Sequence, residues 1–443
     1  MFEIKGKYTT AKVMIDGVEE SCVSQIFSFV NHEVFTNPIA IMPDTHAGKG
    51  SVIGFTMEMT DRVIPNVIGV DIGCGMTSIN IGPDLPLSLE LLDHKIRQQV
   101  PFGMEVQEHA VLHMEKEFPW HDANVKAQKF ALAYQEKFGV AFNPVTYDMN
   151  WLLEKLNRIG ANTRRVINSI GTIGGGNHFQ EIGVSAKGDH WLTIHTGSRN
   201  FGKSVCEYWQ GIASKKIFKN VKEDRKKEIA LLKATYTGKE LYEKIKAAKN
   251  TPTIVELPST QKCPEDQRWL EGDDARSYLS DMIFSQIYAE INREYIIRII
   301  LDILKKEPLD RIDTVHNFID FKDFIIRKGA VRSYTDERFV LPFNMRDGLL
   351  ICSGKSNSDF NFSAPHGAGR VMSRSQAKKN INLENFEGQM KGIYSTSVGR
   401  ETLDEAPDAY KDPLSIEQAI APTAEILDRI KPIHNMKALK PEN

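Results

Sequence analysis

Gly171-Thr-Ile-Gly-Gly-Gly-Asn-His-Phe-Gln-Glu181 is the stretch on which the reading of this chain turns. Three consecutive glycines ahead of an Asn-His pair give the backbone conformations closed to other residues and let it approach a ligand closely, as phosphate cradles require. Glycine stays dense from Gly171 to Gly202, and a second dense block runs from Gly48 to Gly75. The second block holds Asp71-Ile-Gly-Cys74-Gly75, where a carboxylate and a thiol stand three residues apart in a glycine turn. Around these blocks, short runs broken by Gly and Pro (Lys12–Ile15, Pro38–Pro43, Ser51–Met59 and Met76–Ile81) predict strands, and Trp191–His195 alternates like a strand edge.

The middle of the chain has another character. Leu87–Arg165 is mixed and largely helical in pattern, and Lys203–Asn250 is rich in Lys and Glu. From Asp273 to Lys306 apolar residues recur at helical spacing, as in Tyr278, Ile283, Ile287, Ile291, Tyr295 and Ile299. Thr251–Pro264 reads as the Pro-containing connection between these long helices. After Pro308 short strands and turns return up to Arg370, followed by a helix led by Ser373 and a polar C-terminal tail. Polar chemistry lies in both glycine blocks and near the end, so the expected fold is one interwoven α+β domain over residues 1–443. It would have a mixed β-sheet core, Gly-rich active-site loops and a long-helix region at about 203–310.

Composition narrows the function. The 443 residues carry 56 Lys and Arg against 58 Asp and Glu, a net charge of −2. That argues against a protein that holds nucleic acid mainly through a broad basic surface. The five cysteines (Cys22, Cys74, Cys206, Cys263 and Cys352) are scattered without a CxxC. A disulfide framework is not expected, and a reducing, cytoplasmic setting is. The first twenty residues lack the apolar core of a signal peptide, and no apolar run approaches the ~18–20 residues of a membrane span.

Among the 12 histidines, His109 and His113 are i, i+4 neighbours on an expected helix, without the Glu of a zincin between them. His32, His94, His121, His190 and His434 sit among ordinary polar residues and read as surface or satisfied core groups. His46, His178, His195 and His366 instead stand beside glycines, and His316-Asn317 follows a β-like run. Asp71, Cys74 and such histidines compose a mixed N/O/S site for one or two borderline divalent ions. A rival signal is Gly197-Ser-Arg-Asn-Phe-Gly-Lys203-Ser204, which matches a P-loop. The repeated βαβ pattern of a P-loop fold is absent around it.

Six ordered motifs together resemble the RtcB RNA ligase family: Met42-Pro-Asp-Thr-His46, Gly69-Val-Asp-Ile-Gly-Cys-Gly75, Gly171–Glu181, His195-Thr-Gly-Ser-Arg199, His316-Asn317 and Ala364-Pro-His-Gly-Ala-Gly-Arg-Val-Met-Ser-Arg374. The resemblance implies a GTP- and Mn²⁺-dependent ligase that joins an RNA 3′-phosphate or 2′,3′-cyclic phosphate end to a 5′-hydroxyl end. By motif, Asp71, Cys74, His178, His195 and His316 would bind two Mn²⁺ ions, with the Cys74 thiolate bridging them, and His366 would be the nucleophile that accepts GMP. Asn177, His178, Phe179, Gln180, Glu181, His316, Asn317, Asn344, Met345, Arg346, Asp347, His366, Gly367, Ala368, Gly369, Tyr410 and Lys437 would form the guanylate-contacting set. Tyr410, in Glu405-Ala-Pro-Asp-Ala-Tyr-Lys, is similar to the family's guanine-stacking tyrosine. Arg199, Arg370 and Arg374 suit RNA phosphate, since the planar guanidinium grips it bidentately. A monomer is expected, with an archease-like activator as a further partner to test.

The sequence also departs from the family pattern. Asn344, in Pro342-Phe-Asn-Met-Arg-Asp347, replaces a serine that touches the nucleotide in many members. Lys49 and Ser51 replace aromatic residues of the first motif, which reads as a bacterial-type repair branch. Two rival functions stay open at this point. One is a dinuclear metal phosphoesterase using the same ligands on water, and the other is an NTPase acting through Gly197–Ser204.

Overall fold

In the computed structural model, which describes residues 1–250 and 263–439, the chain folds into two sheets flanked by helices. The expected connection Thr251–Pro264 lies almost wholly outside the described residues. One sheet has the order β1 (Phe2–Lys5), β2 (Thr10–Val13), β3 (Ile39–His46), β4 (Ile53–Glu58), β10 (Ile325–Lys328), β9 (Asn317–Ile319). The larger runs β12 (Arg338–Pro342), β13 (Leu349–Gly354), β15 (Ala424–Met436), β6 (Phe179–Val184), β7 (His190–Thr196), β5 (Gly75–Gly82), β8 (Asp310–Val315). A short ribbon pairs β11 (Ala330–Arg332) with β14 (Ser363–Pro365). Of the ladders between these strands, only β2–β3 is parallel.

The larger sheet curls until its ends meet: Arg338 of β12 is ion-paired with Asp310 of β8 at 2.6 Å, and the Val340 amide donates to Thr314 Oγ1 at 3.1 Å. Alternation then sends one residue set inward and the other outward. Met76, Phe179, Trp191, Ile312, Val340, Leu349, Ile351 and Ile430, drawn from all seven strands, fill the inner face. The opposite faces of β5, β6 and β7 supply Ile79, Ile81, Ile182, Leu192 and Ile194 to a second core with Ile296, Ile297 and Ile300 of the helix Gly272–Leu304. With both faces covered, β7 is an interior strand, not the edge that its alternation suggested. The C-terminal tail is likewise a strand, β15, seated between β13 and β6 with a register shift between Pro432 and His434. His109 and His113 precede the helix Met114–Glu117 and lie in no helix.

The long-helix region is present as Arg199–Thr235, Gly238–Asn250 and Gly272–Leu304. Among the described residues, no helix is long and apolar enough to cross a membrane.

Candidate active site

Antiparallel pairing brings the beginnings of β5 and β6 to the same rim as the ends of β7 and β8. Asp71 and Cys74 precede β5, His178 precedes β6, His195 closes β7 and His316 follows β8, so five residues spread over 246 positions converge at one rim. Cys74 Sγ lies 3.4 Å from His178 Nε2 and 3.3 Å from His195 Nε2. His195 Nε2 is 3.2 Å from His316 Nε2, and His178 Nε2 is 2.9 Å from Asp71 Oδ2. Among the described residues these side chains form two possible metal-holding sets, Cys74–His195–His316 and Asp71–Cys74–His178, with Cys74 common to both.

The donor set fits divalent metal. His195 Nε2 faces both His316 Nε2 at 3.2 Å and Cys74 Sγ at 3.3 Å, and a cation among them would take the lone pairs of all three. Burial, with neighbouring histidines, holds His195 and His316 well below the usual imidazole range, in the neutral form that ligates. Burial opposes ionisation of Asp71, but hydrogen bonding and charge from His178 outweigh it and keep the carboxyl low. Burial and the Asp71 charge push the Cys74 thiol well up, and a bound cation would reverse that.

Gly197 packs against Asp71: a Cβ there would lie 2.4 Å from both carboxylate oxygens. The Ser198 amide donates to Asp71 Oδ1 at 3.1 Å and the helix starts at Arg199, while Lys203 points to solvent. The P-loop-like string is therefore a brace for Asp71, and nothing in its geometry supports the NTPase reading. Arg199 is engaged by the protein's own loops. Its guanidinium donates to the Gly103 carbonyl at 2.7 Å and to Thr172 Oγ1 at 3.2 Å, bracing loops behind the cavity.

Beside this cluster opens a cavity of about 280 Å³, bordered by Asp71, Cys74, His195, His316 and His366. His366 Nδ1 is 2.6 Å from Asp44 Oδ2, and its ring centroid is 4.7 Å from that of His316. Asp44, in β3, is fully buried and comes from the other sheet. The approach depends on Gly369, whose φ is +74° and whose Cβ, if present, would sit 2.2 Å from the Asp44 carbonyl oxygen. Lys411 Nζ donates to the carbonyls on either side of Asp44, Pro43 at 2.9 Å and Thr45 at 2.8 Å. His46 borders the cavity too, with burial pushing it down to about 4.

The far wall is ionic. Glu405 Oε2 accepts from Lys437 Nζ and from the Tyr410 hydroxyl, both at 2.7 Å, and its Oε1 pairs with Arg374. Burial opposes its ionisation, but Lys437 and Arg374 outweigh it and hold it at about 2. Arg370 lies over the Tyr410 ring at 5.2 Å, and neither of its buried Nη atoms has a hydrogen-bond partner among the described residues. Glu181 accepts from Asn435 Nδ2 at 2.9 Å through Oε2, its Oε1 has no hydrogen-bond partner among the described residues, and burial raises it to about 8.

Of the anticipated contact set, Asn177, Phe179, Glu181, His316, Asn317, Asn344, Met345, His366, Gly367, Ala368, Gly369, Tyr410 and Lys437 border the cavity, as do Arg370 and Arg374. Three do not. Gln180 alternates to the opposite face of β6 from Phe179 and Glu181. Arg346 and Asp347 pair with each other outside the cavity at 2.7 Å. Asn344 Oδ1 accepts from the amides of both at 3.0 Å, so its side chain shapes this turn. Asp44, Glu405 and Asn435 are site residues that motif reading did not single out. The signal for Glu405 was three cations assigned to one site without a counterion.

The family model described as "tRNA-splicing ligase RtcB" matches residues 25–254 and 267–438. The chain is 27% identical to the RNA-splicing ligase RtcB1 of Escherichia coli (strain ATCC 25922), an alignment covering 96% of this chain and 95% of that protein. It is 26% identical to the RNA-splicing ligase RtcB of Escherichia coli K12 over the same shares. With the tRNA-splicing ligase RtcB of Nanoarchaeum equitans the identity is 25%, over 94% of this chain and 90% of that one. A family match across nearly the whole chain, in register with the converging Asp, Cys and His motifs, makes this protein a member of the RtcB ligase family.

Proposed function

We propose that this enzyme is an RNA ligase that uses GTP and two Mn²⁺ ions to join RNA 3′-phosphate or 2′,3′-cyclic phosphate ends to 5′-hydroxyl ends. The observation that carries the proposal is the pairing of His366 Nδ1 with the buried Asp44 carboxylate at 2.6 Å beside a metal-ligand cluster centred on Cys74. Asp44 fixes the proton on Nδ1 and leaves the Nε2 lone pair for attack. Asp71, Cys74, His178, His195 and His316 would hold the metal. When bound, it would supply charge neutralisation for the triphosphate and for the leaving pyrophosphate.

In the first step His366 Nε2 bonds to the α-phosphorus of GTP and the bond to the β-phosphate oxygen breaks, releasing pyrophosphate. The imidazole becomes cationic, and Asp44 stabilises it through the Nδ1–H bond. An oxygen of the RNA 3′-phosphate then takes the guanylate from His366, giving an RNA-3′-pp-G end. The 5′-hydroxyl finally attacks the 3′-phosphorus and GMP leaves. A cyclic phosphate is first opened by water. Arg370, whose Nη atoms make no hydrogen bond among the described residues although Nη1 lies 3.7 Å from Glu405 Oε1, suits an incoming phosphate, and Tyr410 and Glu181 suit the base.

Incubation with Mn²⁺ and α-labelled GTP tests this. An acid-labile label should form on wild type and vanish in His366→Ala. Absence of label on wild type, or its survival in that variant, refutes the proposal. Nucleotide-independent phosphate release retained by His366→Ala would support the phosphoesterase reading instead.

A further inference from the structure

The near-neutral charge of the chain conceals an uneven distribution. Residues 215–249 carry twelve Lys and Arg against five Asp and Glu, and residues 226–248 within them six Lys against three Glu, so this stretch is basic within a chain of net charge −2. The stretch belongs to the helices Arg199–Thr235 and Gly238–Asn250. The first four turns of the former are anchored by Phe201, Val205, Cys206, Trp209 and Ala213 in the main core. From Lys226 to Ala248 no described residue is buried. The helix Gly238–Asn250 packs back on the helix Arg199–Thr235, and from Lys226 onward the two leave the body as a hairpin.

A helix whose outer half buries nothing is kept for something other than packing. Lys226, Lys227, Lys233, Lys239 and Lys246 are exposed, and among the described residues none is ion-paired. Lys244 stands over the Tyr236 ring at 4.4 Å, and Tyr242 is 65% exposed. Exposed cations interleaved with aromatic rings match a polyanion with stackable bases better than an acidic protein surface. The same helix starts at Arg199, next to the amide that holds Asp71. At ~1.5 Å per residue, Lys226 lies ~40 Å along the axis from that start. A strand whose ends occupy the cavity could meet the hairpin only with its body.

We propose that the helical hairpin formed by residues 226–248 is an RNA-docking arm that grips the phosphate backbone of the substrate far from the ends being joined. The choice of RNA rests on the ligase reading; the presence of a polyanion-binding arm rests on charge and exposure alone.

The test combines Lys226→Glu, Lys227→Glu, Lys233→Glu and Lys239→Glu in the full-length protein, with a matching Lys→Gln set in case charge reversal disturbs folding. Fluorescence anisotropy follows binding of a structured RNA of about 75 nucleotides, of a single-stranded 6-mer and of polyglutamate across a salt series. Affinity for the long RNA should fall at least tenfold at physiological salt. The slope of log K against log salt should drop by roughly 0.7 for each RNA phosphate that is no longer neutralised, with the 6-mer unaffected. GTP labelling should be unchanged. Equal affinity and slope for the long RNA in wild type and both variants overturns the arm. So does loss confined to polyglutamate, which would assign the hairpin to an acidic protein. If wild type forms no guanylate but the variants still lose affinity for the long RNA, the ligase reading falls and the arm stands.

Discussion

Asp44→Asn is the sharpest perturbation of the proposed nucleophile. Asp44 is fully buried, Oδ2 lies 2.6 Å from His366 Nδ1, and Oδ1 has no hydrogen-bond partner among the described residues. An asparagine has two placements. With its carbonyl toward His366, the amide nitrogen enters the partnerless slot of Oδ1, where an unsatisfied buried donor costs about 1–3 kcal/mol. With its nitrogen toward His366, the amide donates to Nδ1 and its carbonyl enters the slot. The second placement satisfies the amide and forces the imidazole proton onto Nε2, which removes the attacking lone pair. The same tautomer inversion at a Ser-His-Asp triad lowers turnover by about 10⁴, equivalent to about 5.5 kcal/mol.

We therefore expect single-turnover guanylation of Asp44→Asn to fall about 10⁴-fold, and Asp44→Ala, which leaves the tautomer free, to be less impaired. Quenched-flow labelling with α-labelled GTP reads both rates, and calorimetry checks that both variants are folded. A rate for Asp44→Asn within tenfold of wild type, or an alanine variant slower than the asparagine one, refutes the tautomer reasoning. So does phosphorus–nitrogen coupling that places the guanylate on Nδ1.

Glu181, raised to about 8 by burial, is protonated at neutral pH in the folded protein and ionised once unfolded, so its burial costs stability as pH rises from about 4.5 to 8. Glu181→Gln should raise stability by about 3 kcal/mol more at pH 7.5 than at pH 5, with GTP labelling impaired; equal effects in denaturation at the two pH values would contradict this. Gly369→Ala places a methyl 2.2 Å from the Asp44 carbonyl oxygen at a positive φ. It should slow guanylation by about 100-fold or more and lower stability by about 1–3 kcal/mol, read by labelling and calorimetry. Mn²⁺ at about 100 times its Kd should stabilise wild type by about 2.7 kcal/mol, an increment that chelator removes and that Cys74→Ala largely abolishes; full retention in that variant would argue against a shared thiolate.

What the sequence disclosed and what it hid follow from the range of the interactions concerned. Asp71 with Cys74, and His178 behind three glycines, announce themselves because chemistry and backbone freedom coincide within a few residues. The Asp44–His366 contact spans 322 positions and joins β3 to the bend after β14; nothing local in Met42-Pro-Asp-Thr-His46 gives the aspartate a partner. Gln180 looked like a contact because it sits inside a motif, yet a strand repeats every two residues and turns it away from its neighbours Phe179 and Glu181. Pro432 disguised β15, since a proline seldom occupies an interior strand except at a bulge, and a register shift is what the ladder shows there. Net charge is silent about position in a similar manner. A sum of −2 excludes a uniformly basic surface, but addition discards position, and position is what a polyanion detects within a Debye length of ~8–10 Å. The basic helical stretch and the acidic remainder cancel on paper only, because the hairpin carries its lysines away from the body, where the opposing charges no longer screen them.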